Sequence, residues 1–250
     1  MVDLPWSKQM LRLLCSVMFF VVFWPISAPL VLYASFLPFN SVKPALFYQF
    51  LLQSYNTGFN YANRNSSSEQ KRMSLNQLLL IAGTISYTTC AGALPQIIIN
   101  RLHVKSVPVQ TFCRSILPIP LAAVLAFFNV MTVRSQEPDN GIQVFDSNGN
   151  SVGFSKAAGE KAVRETAVSR AALMGTAAAV PNLLVLFLLR FVQRNVILAA
   201  SVRPVSVTLI LSLMIPVSFS LFPQLAAKEE LEAELQAAAV DGHLLYHRGL

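Results

Sequence analysis

Five long stretches of this chain contain no Asp, Glu, Lys or Arg: residues 13–42, 73–100, 115–133, 171–189 and 204–227, which count 30, 28, 19, 19 and 24 residues. A helix needs about 20 predominantly apolar residues to cross roughly 30 Å of hydrocarbon, so each stretch is long enough, or nearly so, to span a bilayer. A sixth stretch, 44–63, has 20 residues but carries Gln49, Gln53, Ser54, Asn56, Thr57, Asn60 and Asn63. On hydropathy alone it is a weak span. In lipid every backbone amide must bond inside its own segment, which a helix achieves without a partner strand. The expected fold class is therefore all-α, a polytopic helical integral membrane protein with the bilayer as its first partner. It forms a single membrane domain with five strong spans at about 13–39, 74–100, 115–133, 171–189 and 204–227. The weak polar segment lies at 44–63, an aqueous loop with one small β-hairpin at 134–170, and a tail at 228–250.

Charge supports this reading and removes a competing one. The 250 residues hold 19 Lys plus Arg against 12 Asp plus Glu, a net charge of +7, yet only 12% are charged, where soluble domains have about 25%. In a soluble protein such an excess would point to nucleic acid. Placed between the spans, it is one-sided. The short loops around 101–114 and 190–203 fall on a face with net charge +7, and the opposite face is neutral, whether or not 44–63 crosses. The positive-inside bias makes the basic face the cytoplasmic or organelle-matrix side. Nucleic acid is not an expected partner.

The first run, with Pro25, Pro29 and Pro38 inside it, exceeds a signal-peptide core of 7–15 residues and reads as a retained, broken span. Residues 142–154 read as a hairpin turning at Asn148-Gly149. Asp146, Asn148 and Asn150 imitate a calcium loop, but Ser151 and Ala157 stand where its glycine and bidentate acid belong. Ser155 is the expected N-cap of a helix carrying Glu160/Arg164 and Lys161/Glu165 pairs, which continues into the span at 171. The acidic stretch 228–240 is expected to be a short surface helix.

No motif for enzyme chemistry is present. Cys15, Cys90 and Cys113 lack metal-ligand spacing, and His243 with His247 is an isolated terminal pair, so neither a metal nor another cofactor is expected. Asn65-Ser66-Ser67 is a glycosylation sequon that matters only in a secretory lumen. What the spans do carry is uncharged polarity and proline: Gln96, Asn129, Thr132, Asn182, Ser218, Ser220 and Gln224, with Pro95, Pro118, Pro120, Pro181, Pro216 and Pro223. Broken helices expose backbone groups that bind polar solutes at the midplane. The same residues also serve as kinks and cross-helix packing contacts. Lack of charge at membrane depth favours passive movement of a small polar or zwitterionic solute over proton relay.

The run Phe59-Asn60-Tyr61-Ala62-Asn63-Arg64-Asn65 resembles the N-Y-x-N-R-N signature of the sideroflexins, multi-pass proteins of the mitochondrial inner membrane. Gly141-Ile142 with Asp146, Gly149-Asn150 and Gly153 resembles their aqueous loop, and Leu221-Phe222-Pro223-Gln224 their last-span ending. The likeness runs from about residue 36 to 250. Ala162-Val163-Arg164-Glu165-Thr166 and Tyr246-His247-Arg248-Gly249-Leu250 are most similar to the fourth vertebrate branch. The family's His-Pro-Asp tract is absent ahead of the first span, so an N-terminally short form is expected. The resemblance implies a mitochondrial inner-membrane transporter of a small amino acid, a serine-like zwitterion, with links to iron homeostasis. The other function it implies is a non-transporting membrane factor for iron–sulfur cluster supply and respiratory complex I assembly, with assembly factors as partners. For the carrier, the expected pathway residues are Asn60, Asn63, Arg64 and Asn65 at its start, with Pro118, Asn129, Pro181, Pro216 and Gln224 along it.

Overall fold

Residues 44–63 have no charge and only two helix-breaking side chains, Pro44 near the start and Gly58. They form helix α1, Val42–Ala62, in which Pro44 sits in the first turn, where a missing N–H costs nothing. The computed structural model describes residues 41–65, 75–146, 149–192, 202, 205–210, 212–213, 225–228 and 244–249. The expected span 13–39, the acidic tail helix beyond Lys228, Pro216 and Gln224 lie outside these residues.

The described chain is mostly helical. After α1 come α2 (Leu75–Gly92) and α3 (Leu94–Arg101), which meet at a 47° bend. The break follows from Pro95, which has no N–H to return to the Ala91 carbonyl one turn earlier. The next helical run starts as α4 (Val107–Thr111), widens into a π-turn at Phe112–Ile116 and continues as α5 (Pro118–Val133). The widened turn is closed by the Leu117 N–H on the Phe112 carbonyl at 2.9 Å. It precedes Pro118 and Pro120, which supply no donors of their own. A short α6 (Gln136–Asn140) leads into strand β1 (Ile142–Phe145). β2 (Ser151–Ser155) pairs antiparallel with β1, and the Gly149 N–H closes the turn on the Asp146 carbonyl at 2.8 Å. Gly149 has φ +81°, which a side chain would resist.

Ser155 Oγ then accepts the Ala158 N–H at 3.0 Å and caps α7, one helix from Lys156 to Val192. Lys161 and Glu165 approach to 4.0 Å on its surface. Farther along, Gly175 lies against Ala123 of α5, where an added Cβ would come within 3.1 Å. Small residues let the two backbones close together.

The structure departs from the sequence expectation in three places. The hairpin is half of a four-stranded sheet in the order β2-β1-β4-β3. Its other strands, β3 (Leu225–Lys228) and β4 (Leu244–His247), come from the end of the expected span 204–227 and from the tail. Ladder bonds from β4 to β1 and to β3 outweigh the apolar character that assigned 225–227 to a span. Within the expected aqueous loop, moreover, Arg134 and Glu137 are both buried.

Packing orients α1. Gln49, in its first half, rests on Gly92, and together they border a cleft with Pro118 at the start of α5. At its other end Asn65 bonds to Glu137, just past the end of α5. The helix therefore runs the length of α5, about 31 Å for its 21 residues. The weak segment is thus a full member of the bundle.

Burial on α1 is the reverse of a soluble helix. Gln49, Gln53, Thr57 and Asn60 face inward with Ala45 and Leu52, whereas Phe47, Phe50 and Leu51 are exposed. Exposed Leu78, Leu79, Val124, Phe128 and Phe187 extend this apolar exterior over α2, α5 and α7. At the sheet end the order is conventional, with Ile142, Val144, Leu244 and Tyr246 buried against Ala158 and Ala162 of α7.

Among the described residues one helical run, Val107–Asn140, is long and apolar enough to cross a membrane; α2 and α3 make a second if the bent pair is one span.

Candidate polar pathway

Helix α1 places residues at intervals of three and four on one face, and Gln49, Gln53, Asn56 and Asn60 follow that spacing. They form a stripe of carboxamides running inside the bundle. Three stations along it differ in chemistry.

At the first, Gln49, Gln53 and Asn56 line a small, partly open cleft with Gly92 and Pro118. Its remaining wall is aliphatic, from Leu52, Leu121, Leu125 and Met174 among others. Among the described residues no charged side chain borders it. The Gln49 carboxamide lies so close over Gly92 that a Cβ there would stand 2.4 Å from Oε1. That Oε1 is buried without a hydrogen-bond partner.

At the second, Asn60 Nδ2 donates to Asn129 Oδ1 at 2.8 Å, and Asn129 Nδ2 donates to Thr57 Oγ1 at 2.6 Å. All three side chains are buried, linking α1 to α5. Buried amides without such partners would each cost about 1–3 kcal/mol, so this relay is a strong local tie.

The third station closes the column. Arg134 donates from Nε and Nη2 to the two oxygens of Glu137, and Nη2 also donates to the Arg248 carbonyl at 2.6 Å. Asn65 reaches the same carboxylate through Nδ2 at 3.1 Å and its backbone N–H at 3.2 Å. Its Nδ2 also lies 2.8 Å from the His247 carbonyl. Arg248 pairs in turn with Glu165 of α7. The next residue, Gly249, has φ +73°, and a Cβ on it would lie 2.6 Å from Arg134 Nη2. Burial, then the Glu165 carboxylate, raises the pKa of Tyr246. Burial lowers that of His247.

The expected pathway residues are thus divided. Asn60 and Asn129 come together, and Pro118 borders the cleft. Asn63 and Arg64 do not join them: Asn63 Nδ2 caps the end of α1 on the Phe59 carbonyl at 2.9 Å. The Arg64 guanidinium bonds the Tyr61 carbonyl at 3.1 Å and lies 3.6 Å over that residue's ring. Asn65 belongs to the closing station. Pro181 lies inside α7, where Asn182 Nδ2 donates to the Ala178 carbonyl at 2.9 Å beside the backbone bond that proline removes. Sequence reasoning missed Gln49, Gln53, Arg134 and Glu137. For the first two the helical spacing was a usable signal. For the last two it was an Arg and a Glu three apart at the end of an apolar run.

The chain matches the family model described as "Sideroflexins" over residues 9–250. It is 53% identical over 234 residues to Sideroflexin-4 of Danio rerio, covering 92% of this chain and 74% of that protein. Sideroflexin-4 of Homo sapiens is 33% identical over 232 residues, 91% of this chain and 67% of that one. Sideroflexin-5 of Homo sapiens is 31% identical over 234 residues, with 90% and 67% covered. No solved structure matches the chain.

Proposed function

The chain belongs to the sideroflexin family, and from that premise we propose that it is a multi-pass carrier of a small, serine-like amino acid in the mitochondrial inner membrane. The observation that carries the proposal is the inverted burial of α1, with Gln49, Gln53, Thr57 and Asn60 inside and Phe47, Phe50 and Leu51 outside. Soluble domains rarely expose large contiguous apolar surface, because each Å² left in water forgoes roughly 25 cal/mol of burial. In hydrocarbon that cost disappears, and the penalty falls instead on outward polar groups. An apolar exterior around a buried polar column fits a lipid-embedded protein through which a polar solute moves.

In this reading α1 is a transmembrane helix, and the basic loops around 101–114 and 190–203 face the matrix. The Arg134–Glu137 station and the sheet lie on the opposite side. The Asn60–Asn129–Thr57 relay sits between the two mouths, where a solute exchanges hydrogen bonds with amides instead of water.

Uptake by proteoliposomes containing the purified chain tests the proposal. Serine and similar small amino acids should accumulate in a protein-dependent manner. Asn129→Leu should lower uptake while the amount of folded protein holds. A non-transporting assembly factor predicts the opposite pattern, with no uptake by the unmodified chain and an assembly defect on deleting residues 142–155.

A further inference from the structure

The geometry points to the cleft between α1, the Gly92 bend and the start of α5 as the solute-binding site, selective for small solutes with no net charge that carry both donors and acceptors. This rests on the carrier reading and adds to it where the solute is held and which solutes are refused.

The three stations compete for that role, and the state of their hydrogen bonds separates them. At the second, Asn60, Asn129 and Thr57 bond one another. At the third, the Glu137 carboxylate takes donors from Arg134 and Asn65. Arg134 Nη1 is also without a partner beside a small pocket at the third station, but its guanidinium already pairs with Glu137; at the cleft the unsatisfied atom belongs to an uncharged amide. Gln49 is 7% exposed, and its Oε1 has no partner. Buried carbonyl oxygens in that state are rare, and each signals a ligand, a water or a functional constraint. Gln53 and Asn56 stand one and two turns farther along the same helix, so amide donors and acceptors line about 10 Å of the wall.

The solute class follows from the lining, in which none of the described residues is charged. A net anion or cation moved from water into this cleft would meet no compensating charge, and desolvation would exclude it. Opposite charges within one small molecule partly offset each other, and carboxamides solvate both ends through N–H and C=O. Leu125 and Met174 also line the cleft, and its small size favours a solute with a short side chain. Gly92 is a requirement of the site, since any side chain there would displace the Gln49 carboxamide.

The test uses the full chain in proteoliposomes with serine, aspartate and lysine as probes, alongside thermal stabilisation of the detergent-solubilised protein by each. Serine should be carried and should stabilise, and aspartate and lysine should do neither. Gln53→Leu should lower serine uptake roughly tenfold, the loss of about one hydrogen bond in a dry site. Gly92→Ala should raise the half-saturating serine concentration with the amount of folded protein unchanged. Gln53→Glu should reverse the preference, admitting lysine at the expense of serine. Serine uptake that all three variants leave intact would overturn the site but not the carrier. Equal uptake of serine, aspartate and lysine would overturn the solute class. Stabilisation by serine that Gln53→Leu abolishes, without flux in any form, would retain the site and overturn the carrier. Neither flux nor stabilisation would overturn both.

Discussion

Phe50 and Phe154 are equally exposed, at 50% each, yet they belong to opposite kinds of surface. Around Phe50 on α1 the amides and hydroxyl of Gln49, Gln53 and Thr57 are buried beside Ala45 and Leu52, whereas the neighbouring Phe47 and Leu51 point outward. Phe154 on β2 stands over a core of Ile142, Val144, Leu244 and Tyr246. Water alone accounts for the second arrangement, and Phe154 is the ordinary single apolar residue on a soluble surface. It does not account for the first, in which polar groups are withdrawn and apolar ones presented. In the proposed carrier one chain meets two solvents, with the Arg134–Glu137 station at their boundary.

The largest expected effect lies at that boundary. Arg134→Ala leaves the Glu137 carboxylate buried without its bidentate partner and frees the Arg248 carbonyl, a loss of about 3–5 kcal/mol. Thermal denaturation in detergent should show the variant unfolded or severely destabilised. A variant as stable as the parent would mean that water reaches the pair.

The comparison itself is tested by placing lysine at the two phenylalanines. Phe50→Lys should cost about 2.5–3.5 kcal/mol of membrane insertion if α1 faces lipid. Phe154→Lys should change stability by no more than about 0.5 kcal/mol. Resistance to alkaline extraction from membranes reads the first, and thermal denaturation reads the second. Equal tolerance at both sites would erase the distinction between the two surfaces.

A smaller effect is expected inside the bundle. Asn129→Leu removes both hydrogen bonds of the relay and leaves Asn60 and Thr57 buried, costing about 1–3 kcal/mol. Adding Asn60→Leu should recover part of that loss, because the stranded amide goes with it. A double-mutant cycle on thermal stability measures the coupling.

The smallest effect is a pH dependence confined to the sheet end. Burial holds the His247 imidazole below its ordinary pKa, so the unfolded chain binds its proton more readily. Above the unfolded value of about 6.5 both states are neutral and nothing is lost. As pH falls below it, stability declines. His247→Gln should flatten that acid-side slope in a denaturation series from pH 7.5 to 5.

These contrasts also explain what the sequence disclosed. Runs such as 115–133 are apolar on every face, so their helices were plain. The turn at Gly149 and the cap at Ser155 depend on two or three neighbouring residues and were equally legible. Helix α1 was not, because hydropathy averages its buried amides with its exposed phenylalanines, and the mean conceals where each lies. The strand Leu244–His247 is four residues long, with burial alternating along it. Such a pattern is too short to announce a strand until its partners are known. The Asn60–Asn129 contact joins positions 69 residues apart, and no local spacing contains it. Asn63 and Arg64, expected at the start of the pathway from their place in a motif, bond carbonyls of their own helix, and Arg64 also lines a small pocket with Asn65, Arg134 and Glu137.

The closing station has a consequence in time. Its bonds join Asn65 to His247 across 182 residues and Arg134 to Arg248 across 114. Contacts so distant in sequence form late, after the entropy of closing the intervening loops has been overcome. In the proposed carrier the helices would enter the bilayer and pack while Glu137 and Asn65 still await their final partners. The nascent protein would therefore pass through an interval with its bundle assembled and one mouth unsealed, ended only when β4 docks between β1 and β3.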